Sequence, residues 1–295
     1  MAITEAEINF LKQTAIKLFK DAYQLHQQLG EKGKLPQRVN AFGENTITAD
    51  WEAEEVFVKG CQQSGIPICF SSEEHGEMSL VNNPKYRGIM DGIDGTNAYK
   101  MGTGRYGTMF AIFEGVNPRY SDYLIAGILE YPSGRILIAT KNNGAFILDG
   151  DNSYPVNSLN VTTLNPDQTR VYIDGGFEFN RKIFQARFQN FRNNYVGNIE
   201  NKGEPWGASS MYYFDLVTGK ADVVLECTRK RNLEIAVAFG ILNEIRAVMV
   251  DGNGESLADK RYLEFGQGQN EYIPIISAAT KSLASQVVEF LKSSS

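Results

Sequence analysis

The chain has no run of about 18 apolar residues, so no membrane span is expected. It also lacks a surplus of positive charge: 29 Lys and Arg stand against 35 Asp and Glu, and the net charge is −6. The basic residues are scattered, so the electrostatic footprint of a nucleic-acid binder is missing, and neither nucleic acid nor a membrane is an expected partner. Cysteine is scarce. Cys61, Cys69 and Cys227 are an odd number without metal-ligand spacing, which speaks against a disulfide framework or thiolate metal site and for buried, reduced thiols. The start, MAITEAEINFLKQ, shows no apolar stretch between basic residues and a cleavage site, so the cytoplasm is the expected location. Internal repeats and low-complexity segments are absent as well.

What is present suits a large folded unit. The 295 residues are 42% hydrophobic and 22% charged, enough to bury a sizeable core in two lobes that share an interface. Thr4 to Glu7 reads as a capping box ahead of Ile8, Leu11, Ala15, Leu18, Phe19, Ala22 and Tyr23, and Gly30 closes this long amphipathic helix. The polar stretch 31–45 reads as a mobile loop, followed by a helix from near Asp50 to before Gly65. The short apolar runs IPICF, GIM, TMFAIF, LIAGILEY, RILIAT and GAFILD, with turns at YPSGR and KNNGA, predict a largely antiparallel sheet. Beyond about residue 155, strands (RVYIDGG, DVVLEC, RAVMVDG, IPIISAA) alternate with helical stretches (FNRKIFQARFQNF, Ser209 to Thr218, 232–244, 280–292). Residues 1–155 and 156–295 are therefore the expected lobes, in an α+β chain.

The stretch YRGIMDGIDGTNAYKMG carries the chemistry. Asp91 and Asp94 stand three apart at the end of an apolar run. Asp-Gly is also an ordinary turn signal, so the pair is open to two readings, a solvated turn or a site. Gly102, Gly104 and Gly107 spell G-x-G-x-x-G, but a β-like run follows where dinucleotide binding needs a helix, so this reads as a loop. Other carboxylates fall at element ends: Glu73 and Glu74 after IPICF, Asp50 and Glu54 four apart at a helix start, Glu234 opening a later helix. Oxygen donors converging from strand ends suit hard cations such as Mg²⁺, and two-ion sites stabilise both attacking and leaving oxygens. Gly95 permits close backbone approach, and Thr96 offers a hydroxyl and an amide at a helix start, which would suit a phosphate oxygen.

At these residues the sequence resembles the inositol monophosphatase-like, magnesium-dependent, lithium-sensitive sugar phosphatases. Their signature D-P-I-D-G-T-x-N-F is similar to Asp91-Gly92-Ile93-Asp94-Gly95-Thr96-Asn97-Ala98-Tyr99. The similarity runs in order from Thr48-Ala49-Asp50 and Glu54, through Ser72-Glu73-Glu74, to Gly207-Ala208-Ser209 and the helix at 232–244. It implies a layered αβαβα sandwich and hydrolysis of a small phosphorylated metabolite, inositol monophosphate first. It further implies two or three Mg²⁺ ions, with Mn²⁺ as a substitute, and a homodimer. Glu73, Asp91 and the carbonyl of Ile93 would hold one ion, and Asp91, Asp94 and Glu234 another. Asp50 and Thr96, with Glu73, would be the catalytic set, and the amides of Gly95 and Thr96 would hold phosphate. Asn97, Gly207, Ala208, Ser209 and Glu226 would meet the substrate.

The departures are specific. Gly92 replaces the signature proline, which loosens a turn the family fixes. The second motif, W-D-x-A-A, stands as Leu233-Glu234-Ile235-Ala236-Val237, its ligand one methylene longer. Arg229, Lys230 and Arg231 are either a grip for a second phosphate or an ordinary basic loop. The first reading would favour fructose 1,6-bisphosphate or 3′-phosphoadenosine 5′-phosphate. A degenerate phosphatase-like binding protein is the rival from another class.

Overall fold

The computed structural model describes residues 3–40, 42–175, 177–191, 208–268 and 271–293. Helix α1 (Glu5–Leu29) starts on the expected capping box: the Thr4 hydroxyl accepts from the Glu7 amide at 3.3 Å, and the Glu7 carboxylate takes the Thr4 amide. The polar stretch after it is not a plain loop. It forms a 3₁₀ turn (Gly30–Lys34) and a small hairpin of β1 (Pro36–Val39) and β2 (Asn45–Ile47), and α2 (Thr48–Gln63) begins two residues before Asp50.

An eight-stranded sheet follows. Its strands are β3 (Ile68–Ser72), β4 (Gly76–Ser79), β5 (Tyr86–Asp94), β6 (Gly107–Glu114), β7 (Tyr123–Glu130), β8 (Arg135–Thr140), β9 (Ala145–Asp149) and β10 (Asn152–Pro155). Their spatial order is β10-β9-β8-β7-β6-β5-β3-β4, antiparallel throughout except for the parallel pair β3 and β5. The short helix α3 (Thr96–Met101) leaves the end of β5, and β6 begins at Gly107, so the G-x-G-x-x-G run is the expected loop ahead of a strand.

The second sheet has the order β11 (Val171–Ile173), β12 (Val223–Cys227), β14 (Pro274–Ala278), β13 (Val248–Asp251). Around it lie α4 (Glu178–Asn180) and α5 (Ala186–Phe188), joined by a π turn where one continuous helix was expected, then α6 (Ser209–Val217), α7 (Leu233–Glu244) and α8 (Lys281–Ser293). The layers run helix, sheet, helix, sheet, helix.

Strand periodicity explains the layering. In β6, Phe110 and Ile112 face α1 and α2, whereas Met109, Ala111 and Phe113 face the central helices. Phe19 and Phe57 close the first interface edge-on at 5.2 Å. Helix α7 is buried from Leu233 to Leu242 and, Glu234 apart, apolar over that stretch, as expected of a helix caught between two sheets. Among the described residues no helix is long and apolar enough to cross a membrane.

Candidate active site

Asp91 and Asp94 lie within β5, where every residue is buried. In a regular strand, residues three apart point to opposite faces. The β5–β6 register breaks between Asp91, opposite Met109, and Asp94, opposite Gly107, and this bulge re-aims the strand end. As a result oxygens of Asp91, Asp94 and Glu234 lie within 4.8 Å of one another, all three side chains buried. Beyond the bulge, Gly95 caps α3 at φ +95, a conformation L side chains avoid, and an added Cβ would stand 2.8 Å from that of Ala208.

Gly92 has a different reason from the loosened turn expected of it. Its φ is not positive, but a Cβ there would meet the backbone carbonyl of Asp50 at 2.5 Å. The missing side chain lets the first turn of α2 press against β5 and brings Asp50 to the same cavity as Thr96. The Thr96 hydroxyl donates to the Ile93 carbonyl at 3.0 Å and stands 3.4 Å from the Asp50 carboxylate. One turn along α2, Glu54 is fully buried and gathers three successive amides: Glu73 at 3.1 Å, Glu74 at 3.2 Å and His75 at 3.2 Å. His75 also bridges Glu54 and Glu55 at 2.7 and 2.8 Å and stacks on Trp51. The turn presenting Glu73 is thereby fixed to α2.

The opposite wall comes from the second sheet and α7. Arg231 and Asn232 take left-handed backbone conformations, φ 61 and 57, ahead of α7. The buried Asn232 side chain accepts the Arg229 amide at 2.9 Å and donates to the Phe265 carbonyl at 2.8 Å. This winding folds Arg229 back on the helix start. Its Nη2 lies 3.1 Å from Glu234 and 3.3 Å from Asp174, and its guanidinium covers the Phe177 ring at 4.2 Å. Asp174 follows β11 directly and was not among the residues expected from sequence. Its signal was available: a carboxylate ahead of Gly-Gly at the end of an apolar run, as at Asp91.

These walls enclose a cavity of about 470 Å³ lined by Asp50, Glu73, Asp91, Asp94, Thr96 and Glu234, among others. Its acids repel one another in a place that hydrates them poorly. Burial, then Glu73, Glu74 and Glu54, hold the Asp50 carboxyl well above its ordinary range. Burial and Glu234 push Asp94 up to about 7, although the Ser210 amide of α6 donates to it. For Arg229, burial opposes the charge, but Glu234 and Asp174 outweigh it and raise the guanidinium further. A set of buried hard oxygen donors with this excess of negative charge fits a divalent cation such as Mg²⁺.

Ile93, Gly95, Asn97 and Ser209 line the same cavity, with Ala208 against Gly95. Gly207 lies outside the described residues. Glu226 is buried beneath the wall: it accepts from the Tyr213 hydroxyl and, at 3.3 Å, from Ser209, and burial pushes it up to about 8. Its carboxylate is used inside the fold. Arg231 pairs with Glu77 at 2.5 Å and borders a neighbouring cavity of about 920 Å³ instead.

The model of the inositol monophosphatase family matches residues 2–288. No curated protein sequence matches the chain. Among solved structures, an inositol monophosphatase–fructose 1,6-bisphosphatase is 18% identical with a TM-score of 0.70, covering 98% of this chain and 100% of its own. The extragenic suppressor protein suhB from Bartonella henselae is 15% identical with a TM-score of 0.74, covering 96% and 98%. A dual-specific inositol monophosphatase/NADP phosphatase, solved with D-inositol-1-phosphate, is 14% identical with a TM-score of 0.69, covering 96% and 95%.

Proposed function

The chain belongs to the inositol monophosphatase family, and from that premise we propose that it is a Mg²⁺-dependent phosphomonoesterase acting on a small phosphorylated metabolite, inositol monophosphate first. The observation that carries this reading is the convergence of Asp91, Asp94 and Glu234 in a cavity that Asp50 and Thr96 also line. Glu73, Asp91 and the Ile93 carbonyl would hold one ion, and Asp91, Asp94 and Glu234 another. Bound there, the cations supply Lewis-acid activation of water and neutralise charge building on the phosphate and leaving oxygen.

The chain's own groups do the rest. The Thr96 hydroxyl, anchored on the Ile93 carbonyl, orients the attacking water. Asp50, whose affinity for a proton burial and the neighbouring Glu73, Glu74 and Glu54 raise, takes the proton of that water. The first-turn amides at Gly95 and Thr96 face the phosphate, and water attacks phosphorus directly, with no covalent enzyme intermediate. The basic run lends little support to a bisphosphate substrate, since Arg229 and Arg231 are both engaged by the chain's own carboxylates.

Phosphate release from inositol 1-phosphate, fructose 1,6-bisphosphate and 3′-phosphoadenosine 5′-phosphate, with and without Mg²⁺, tests the reading. Asp94→Asn serves as the blank. Mg²⁺-dependent release from one of them, lost in the variant, is expected. Equal turnover by Asp94→Asn would sink the mechanism. Silence on all three from folded, Mg²⁺-binding protein would favour a phosphate-ligand binding protein instead.

A further inference from the structure

We propose that Arg229 is a resident cation of the acidic cluster: it stands in for part of the charge of a second ion, which reaches Glu234 only as the guanidinium leaves it. The inference rests on the metal-site reading above and concerns how this chain fills that site.

The geometry is that of an occupied but displaceable position. One nitrogen, Nη2, serves both Glu234 at 3.1 Å and Asp174 at 3.3 Å. Among the described residues, the two parallel bonds that make an arginine–carboxylate pair strong are therefore not formed. Nε is buried and finds no hydrogen-bond partner among the described residues. The side chain is only 11% exposed, so its charge is not dispersed into solvent. A divalent ion on Glu234 would face this guanidinium across a single carboxylate, and in a poorly hydrated cavity like charges so close strongly disfavour joint occupancy.

Arg229 has somewhere to go. Asp174 and the Phe177 face also hold it, so the guanidinium keeps a charged partner and a ring after releasing Glu234. The backbone supports this pivot, because Asn232 pins the Arg229 amide while leaving the side chain to two competing acceptors. An ion held by Glu73, Asp91 and the Ile93 carbonyl would use none of the groups that Arg229 touches and would not compete with it.

The test is Mn²⁺ binding by the full chain, read from the spin-resonance signal of free Mn²⁺. Wild type should bind one ion tightly and a second weakly. Arg229→Gln should tighten the second by roughly tenfold, the scale of one charge–charge contact, and leave the first unchanged. Arg229→Lys, which keeps the charge, should retain the weak second ion. Equal second-ion affinity in wild type and Arg229→Gln would overturn the inference while the metal site stands. So would tightening in Arg229→Lys as large as in Arg229→Gln. Absence of bound Mn²⁺ in every protein would overturn the metal-site reading itself. Should Arg229→Gln fail to fold, wild type labelled with ¹⁵N-arginine decides the question. During a Mg²⁺ titration the Arg229 guanidinium signal should move with the second, weaker event, and a signal unmoved through saturation defeats the proposal.

Discussion

Asp50, Glu73 and Glu74 on one wall of the cavity face one another, and Lys100, the lysine lining that wall, is solvent-exposed. On the opposite wall Glu234 and Asp174 have the buried guanidinium of Arg229 between them. The difference shows that buried acids can be arranged for two ends. Set facing one another, they form a place where an added cation gains most. Balanced from within, they tolerate the metal-free state at the expense of cation affinity.

The largest expected effect is on turnover at the first wall. Asp50→Asn should lower kcat by about a thousandfold, the scale of losing a positioned general base. The same change removes a repelled charge, so the metal-free variant should melt higher than wild type. Glu234→Gln should shift the melting temperature the other way. It deprives buried Arg229 of one of its two carboxylates, at a cost of about 1–3 kcal/mol, less than breaking a buried pair outright. Differential scanning calorimetry of both variants without metal compares the walls directly, and shifts of the same sign would break the comparison.

Gly92→Ala comes next. Its Cβ would stand 2.5 Å from the Asp50 carbonyl, so α2 must move off β5, costing about 1–3 kcal/mol by overpacking and displacing Asp50 from Thr96. A variant with wild-type kcat and unchanged melting would show that the close approach is dispensable. The smallest effect is on pH dependence. Glu226 is raised to about 8 in the fold and would release its proton near the ordinary 4.5 when unfolded. The folded state therefore binds the extra proton between these values, and stability falls as pH rises from about 4.5 to 8. Metal-free protein should melt lower at pH 8 than at pH 5, with a smaller difference in Glu226→Gln.

Much of the site was legible because its residues are local in the chain. Asp91, Ile93, Asp94, Gly95 and Thr96 fall within one short segment, and they do so around a β5 end and an α3 start that apolar run and Gly-Thr spacing foretell. The expected strands and turns of the first sheet formed for the same reason. Less legible were features that depend on distant partners. Stretch 31–45 looks like loop because its pairing of β1 with β2 buries little, and 178–188 keeps helical spacing although its middle winds as a π turn. Nothing in Glu54 itself says that it will collect the amides of 73–75. Glu226 resembles a substrate contact by position but ends beneath the wall.

By itself the sequence determined the donor types, the helices that patterning dictates, and the family to which the chain belongs, since these depend on residue identity and short spacing. Only the tertiary structure decided that Asp91 and Asp94 share a face, that Glu234 despite its extra methylene still reaches them, and that Arg229 turns inward. The first needs a bulge against β6, the second a helix wedged between two sheets, and the third two left-handed residues locked by Asn232. Each is a balance between segments far apart in the chain, and electrostatic partnership in a buried cavity is set by those distances and not by the order of residues.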